Sequence, residues 1–319
     1  MYRFKKLMAA VLSLAMLLVT VPTGMLSASA ASTAEFQGGT GTEETPYLIA
    51  TKAQLDNVRH HLDAHFKLVA DIIFTQADFV EGGPFYHEGQ GWDPIGTAES
   101  PFTGSFDGEG YAIQGLFINQ AMDQISYTGL FGYTAGTIRN VVMTDSDLSN
   151  TSILYYAGGI AGYNTGSIFR CSFEGTLSGH IFGPGSVEYT DGYVGGIAGG
   201  SEGEIRACHS DGEISVRSSI GTSSAYGGGI VGLNTHIVST CYNTASIQTA
   251  LETVGGIVGK NDGFGAVNDC YNTGSVYADT SRPYASAGGI VGENVGSINR
   301  CYNFKAHILG KDKIQPRVC

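Results

Sequence analysis

Basic residues are scarce in this sequence: Lys and Arg number 17 against 29 Asp and Glu in 319 residues, a formal net charge of −12. Nucleic-acid binding needs a basic stripe against the phosphates, so nucleic acid is excluded as a partner. Charge of either sign is thin, 14% of residues against about 25% in ordinary globular chains. Tryptophan occurs once and methionine six times, and the Ala-, Glu-, Lys- and Leu-rich composition of helical bundles and coiled coils is missing. Only 8 prolines are present, which excludes a collagen-like chain. What is abundant is glycine, 47 residues, beside a hydrophobic share of 42% and 10% aromatics. That much apolar material is too rich for a disordered linker and requires a packed core. β structure with many turns is expected.

The first thirty residues read as an address. Arg3, Lys5 and Lys6 precede an apolar run from Leu7 to Val21, and small residues follow at Ser27 to Ala31, the three parts of a secretory signal peptide over residues 1–31. The apolar run includes Ser13 and Thr20 and is shorter than the ~20 residues a spanning helix needs. No second run of spanning length follows, so the mature chain is expected to lack a transmembrane segment and to be secreted or held at the cell surface.

A repeat organises the rest. Gly158-Gly159-Ile160-Ala161-Gly162 recurs at Gly195 to Gly199, Gly228 to Gly232, Gly255 to Gly259 and Gly288 to Gly292, with an earlier copy at Gly129-Leu130-Phe131-Gly132. Counted from the glycine before the apolar residue, the periods are 30, 37, 33, 27 and 33 residues, the length of a solenoid coil. Twelve residues after that glycine stand Cys171, Cys208, Cys241 and Cys301, and fourteen after it Cys270; the first copy has Val141 there. A position that takes valine or thiol reads as a small apolar slot. Three residues earlier a β-branched residue recurs at Ile138, Ile168, Ile205, Val238, Val267 and Ile298, a second inward ladder suited to strands. Gly, Asn and Ser clusters mark turns between them. The pattern predicts an all-β chain, a right-handed parallel β-helix over residues 129–303, with insertions after the cysteine gathered along one side.

Residues 36–128 read as an N-terminal cap and the first coils. Tyr47-Leu48-Ile49 is a strand pattern, Thr51-Lys52-Ala53-Gln54 matches a capping box, and Leu55, Val58 and Leu62 follow at helical spacing. One short helix before the coils is what a cap requires, since the first coil otherwise leaves an apolar end and an unpaired edge.

The Gly129 to Gly132 quartet, the opening Gly39 to Ile49, Trp92-Asp93-Pro94-Ile95-Gly96 and Pro101 to Gly108 resemble the GLUG-motif family of bacterial secreted and cell-surface proteins, over nearly all of residues 39–303. The resemblance implies an extracellular repeat module, in some relatives adhesin-like and in others attached to immunoglobulin A proteases, and no chemistry for the module itself. The pattern departs after Cys301-Tyr302-Asn303, and residues 304–319, with Lys305, Lys311, Lys313 and Arg317, read as an atypical, truncated tail. An uncapped last coil would then fray or self-associate.

Five cysteines in an exported chain invite disulfides, and equivalent Cα atoms in stacked coils are ~4.8 Å apart. Parallel Cβ directions and Val141 argue instead for a structural, buried thiol ladder of Cys171, Cys208, Cys241, Cys270 and Cys301. His61 and His65, four apart on the expected helix with His60 beside them, have a zinc spacing but no third ligand. His87-Glu88-Gly89-Gln90-Gly91 starts like the metalloprotease H-E-x-x-H and ends in glycine. Asp107 with Glu109, and Asp145 with Asp147, read as turn carboxylates rather than a calcium site or a glycosidase pair. No catalytic, cofactor or metal residues are therefore assigned, and no cofactor is expected. Tyr242, Tyr271 and Tyr302 follow the cysteine in successive coils, with Asn243, Asn272 and Asn303 behind them; a stacked tyrosine stripe on the outside could bind a glycan or a host or cell-surface protein. The expectation is a non-enzymatic extracellular module for adhesion or partner binding. The alternative is a carbohydrate-active β-helix enzyme, a polysaccharide lyase or hydrolase.

Overall fold

The computed structural model describes residues 35–182, 191–219, 224–249, 252–278, 286–304 and 308–309. The leader 1–31 and, apart from residues 304 and 308–309, the tail with Cys319 lie outside the described residues.

Each repeat is one coil of a parallel β-helix. After Gly196-Ile197 the chain runs through Ala198–Ser201, then Glu204–Arg206, then the long strand His209–Ser218, and returns along Ser224–Gly228 into the next glycine pair. Equivalent strands of successive coils pair in parallel and build three sheets of six, nine and sixteen strands. The outgoing and returning strands of the largest sheet form a two-layered arm, continuous in Val142–Gly158. Coil length varies through this arm. The 37-residue coil carries the unbroken strand Ser172–Ile181 where the 27-residue coil has the two shorter strands Tyr242–Asn243 and Ser246–Thr249. The insertions after the cysteine fall in this arm, and residues 183–190 of the longest coil lie outside the described residues.

Register holds both inward ladders. Ile138, Ile168, Ile205, Val238, Val267 and Ile298 stack one above another, and Leu130, Ile160, Ile197, Ile230 and Ile257 of the glycine motif are fully buried. The motif glycines serve close approach rather than turning. A Cβ on Gly229 would lie 2.2 Å from the Gly256 carbonyl oxygen of the next coil and 2.4 Å from Cγ of Asn243. The corner before the cysteine turns differently: Asn140, Arg170, Ala207, Thr240, Asp269 and Arg300 are all left-handed, with φ between 49° and 55°. That conformation costs a non-glycine residue about 1–2 kcal/mol. It is offset by a hydrogen bond to the next coil, as from Ala207 N–H to the Ser239 carbonyl at 3.0 Å.

Two ladders of buried amides satisfy the other corners. Ser210 donates to Asn243 Oδ1 (2.7 Å), Asn243 to Asn272 (2.8 Å) and Asn272 to Asn303 (2.9 Å). A second ladder runs from Asn164 to Ser201 and from Asn234 through Asn261 to Asn294. Each asparagine also holds its own turn, as Asn243 does by accepting from Ala245 N–H.

The five cysteines are buried free thiols, but their slot is not merely apolar. Cys171 N–H donates to Cys208 Sγ at 3.4 Å, the pattern repeats up to Cys270, and each thiol lies 3.2–3.4 Å from the carbonyl two residues before it. Burial pushes the Cys208 and Cys241 thiols well above their ordinary range.

At the N-terminal end Tyr47–Ile49 pairs in parallel with Phe66–Leu68, and that strand with Ser105–Asp107. The free edge of Tyr47–Ile49 is closed by an antiparallel bridge between Gly38 and Leu48. The helix is shorter than its apolar spacing predicts. It spans Lys52–Asn57 and tightens into a 3-10 turn Val58–His60, so Leu62 lies outside it. Thr51 accepts from Gln54 N–H as expected, while Gln54 Oε1 reaches back to Ala50 N–H, one residue earlier than the box pattern. Lys52 ties the helix to Asp78 at 2.7 Å. Burial raises the Asp78 carboxyl, but hydrogen bonds from Lys52 and Thr75 and the Lys52 charge outweigh it and hold its pKa below the ordinary 3.8.

At the other end Ile290, Val291 and Ile298 are only partly buried. Within the atypical tail, Ile308–Leu309 pairs in parallel with Val276 and Tyr277.

Three outcomes follow from this packing. Gly229→Ala should lower the unfolding midpoint strongly, with a loss of about 1–3 kcal/mol from overpacking, while Gly263→Ala, whose Cβ would meet open space, should leave it unchanged. Thiol titration without reductant should find the cysteine ladder slow to react when folded and fully reactive after denaturation; missing thiols in the denatured chain would make it a disulfide staple. Because the folded Asp78 pKa is depressed, its stabilisation is complete above about pH 4 and disappears as pH falls through the folded value. Acid unfolding should accordingly begin below that range and be flattened in Asp78→Asn, as read by circular dichroism against pH.

Candidate functional site

The tyrosine stripe exists and is longer than predicted by one residue. His209, which also follows a cysteine, stacks on Tyr242 with ring centroids 4.7 Å apart and planes 3° from parallel; Tyr242 stacks on Tyr271 at 5.1 Å and 5°. Tyr302 continues the row in register with Tyr271. The row grows more open along the helix, with Tyr271 42% and Tyr302 58% exposed. Both faces of Tyr242 are covered by its neighbours, so edges and hydroxyls are what it offers to solvent.

The structure holds a second aromatic ladder. Tyr127, Tyr156, Tyr193 and Tyr226 stack at 5.6, 5.1 and 5.4 Å on the return strands, and Tyr163 stands edge-on to Tyr156 at 4.8 Å. Its signal was available, a tyrosine two residues before the glycine pair in successive copies. These rings are mostly buried, and three of the hydroxyls are occupied, Tyr163 by Glu202 at 2.7 Å, Tyr193 by Asp191 at 3.0 Å and Tyr226 by Glu293 at 3.3 Å. Burial, with the charges of neighbouring Tyr127, Asp191 and Glu202, pushes Tyr156 up to about 12. The ladder is a wall of the fold.

The histidine pair is not brought together on a helix. His61 follows the 3-10 turn and bonds Glu35 at 2.6 Å, whereas His65 opens the strand His65–Leu68 and bonds Ser105 at 2.7 Å. The turn carboxylates have structural partners. Asp107 accepts from Arg139, Asn140 and Glu109 N–H, and Asp145 accepts from Gln114.

The His87 to Gly91 segment, set aside as a broken peptidase motif, instead forms one wall of a cavity of about 320 Å³ lined by His87, Glu88, Gln90, Trp92, Asp93 and Gln120. His87 and Glu88 are consecutive left-handed residues, φ 38° and 56°. The loop is fixed to the strand Phe117–Thr128 by Trp92 N–H to the Phe117 carbonyl and Asn119 N–H to the Gln90 carbonyl, both 2.8 Å. Arg59 braces the far side, bonding Asp93 at 3.0 Å and lying over the Trp92 ring. No helix among the described residues is long and apolar enough to cross a membrane.

Comparison with known proteins agrees with this architecture. The GLUG motif matches residues 154–178 and 250–277. A protein named as a Gly-rich membrane protein in Evansella cellulosilytica is 41% identical over 152 residues, 46% of this chain and 17% of that protein. Halomucin of Haloquadratum walsbyi is 31% identical over 150 residues, 44% of this chain and 2% of its own. The chain thus corresponds to a small part of each of these relatives. A crystal structure from Bacteroides ovatus named as an immunoglobulin A1 protease superposes with a TM-score of 0.63 at 23% identity, covering 88% of this chain and 81% of that one. A structure named IgA1 Protease gives 0.54 at 17%, covering 84% of this chain and 20% of that one. At these identities the likeness is one of fold. The chain carries the GLUG motif, and its repeats coil into a parallel β-helix.

Proposed function

We propose that this chain is a non-catalytic extracellular module, exported by its leader 1–31, that binds a partner along the side of its β-helix. The observation that carries the reading is the row of His209, Tyr242, Tyr271 and Tyr302, repeated at coil spacing on a rigid sheet and increasingly open to solvent. Its geometry favours a protein surface over a glycan. Sugars dock on ring faces, and the inner faces here are consumed by stacking, whereas ring edges and hydroxyls suit the mixed contacts of protein interfaces. The names of the relatives, a membrane protein and a halomucin, fit a setting outside the cell. The enzyme alternative draws no support from Asp107 and Asp145, whose carboxylates are engaged in turns.

The mature chain, screened against extracellular-matrix and cell-surface proteins beside a glycan array, should bind a protein ligand and turn over no polysaccharide. The Tyr242→Ala, Tyr271→Ala double variant should weaken that binding at least about tenfold, as loss of aromatic anchors does, with an unchanged unfolding midpoint. Binding that survives the double variant would remove the row from the site.

A further inference from the structure

Behind the cavity wall a relay of buried polar groups ends at one side chain. Asn150 Nδ2 donates to Ser126 Oγ at 2.7 Å and to Thr128 Oγ1 at 2.6 Å, and both hydroxyls donate onward to Gln120 Oε1. Asn150 and Thr128 are essentially inaccessible, and Gln120 is only 7% exposed. Two hydroxyl donors on Gln120 Oε1 fix the orientation of that amide, although Asn150 Oδ1 at the far end is buried without a partner among the described residues. With its oxygen tied inward, Gln120 keeps its amide nitrogen for the cavity it lines; among the described residues that nitrogen has no partner. The nitrogen is not among the enclosed unpartnered atoms; on the cavity wall it is a donor open to a group outside the chain.

The rest of the lining defines what that group is. His87 Nδ1 donates to the Gly91 carbonyl at 2.8 Å, so the neutral ring keeps Nε2 as an acceptor. Glu88 and Asp93 add carboxylate acceptors, and neither Lys nor Arg lines the space. The Glu88 carboxylate, beside an Asp93 shared with Arg59 at 3.0 Å and with no Lys or Arg among the lining residues, disfavours phosphate or an acidic ligand, and an N–H facing the cavity disfavours a bare cation. Hydroxyl groups, which donate and accept, match both halves of the lining. The volume of about 320 Å³ lies at the small end of ligand pockets, about 300–1,000 Å³, and accommodates one ring rather than a chain. The backbone strain at His87 and Glu88 is of the sort that gathers at binding sites.

We propose that the cavity between His87–Asp93 and Gln120 is a binding site for a single neutral, hydroxyl-rich sugar unit, with the Gln120 amide as its central donor and Glu88, Asp93 and His87 as acceptors. This site goes beyond the protein-binding reading of the aromatic row and lies on different strands, so either can fail without the other.

The protein reports on it directly, because Trp92, its single tryptophan, forms part of the wall. Tryptophan fluorescence of the mature chain is followed while neutral methyl glycosides of glucose, galactose, mannose and N-acetylglucosamine are added in the millimolar range, with methylammonium chloride and sodium glucuronate as charged comparisons. At least one neutral glycoside should give a saturable change. Gln120→Glu keeps an oxygen for Ser126 and Thr128 while replacing the donor with an acceptor, and should weaken binding about tenfold, the effect of one good hydrogen bond. Glu88→Gln, on the exposed side, should weaken it less without touching the buried relay, and Gly263→Ala, whose Cβ meets open space, should bind like the parent. A flat response to every neutral glycoside, an equal response in Gln120→Glu with an unchanged unfolding midpoint, or saturation by the charged compounds alone would overturn the proposal.

Discussion

Adjacent coils pair backbone to backbone in all three sheets, and the glycines of the motif are what allow it. A side chain on Gly196, Gly229 or Gly256 would fall 2.1–2.3 Å from a carbonyl of the next coil, inside any van der Waals distance. None of these three glycines has a positive φ, so the constraint is volume and not conformation. Once it is met, the parallel ladders bring identical positions into register, and every recurring residue type becomes a continuous line through the molecule.

Those lines then divide the work. β-branched and leucine positions form the dry interior, and asparagine and serine lines close two corners by bonding both the next coil and their own turn. Thiols at the third corner accept a backbone N–H from the neighbouring coil. A buried amide is expensive when unpaired and contributes when its neighbour repeats it, so the ladders only work as ladders. The same logic explains the weaker burial of Ile290 and Ile298 in the last described coil, which have a partner on one side only.

Regular stacking also governs where recognition can occur. On the coils it produces flat, periodic surfaces in which aromatic rings shield each other's faces, as in His209, Tyr242 and Tyr271. A concave site requires a break in the repeat. The break lies where the irregular segment His87–Asp93 folds against the first long strand, and there the buried polar network replaces the ladder.

The periodic part was legible because a solenoid writes its structure into its spacing: the coil length, the parallel β class, the isoleucine and cysteine lines, the asparagines after Tyr242 and Tyr271 and the capping interaction of Thr51 all follow from residues at fixed intervals. The left-handed corner was not, since Asn140, Arg170, Ala207, Thr240, Asp269 and Arg300 have no one side-chain chemistry in common, and the first five donate their N–H to a carbonyl of the next coil. His61 and His65 were assigned to one helix because local spacing cannot see that Leu62 is claimed by the approach to the next strand. The cavity was beyond the sequence altogether: Trp92, Gln120, Ser126, Thr128 and Asn150 are up to 58 positions apart and carry no common period, so only the folding of one irregular loop onto a strand, and of that strand onto the next coil, brings them together.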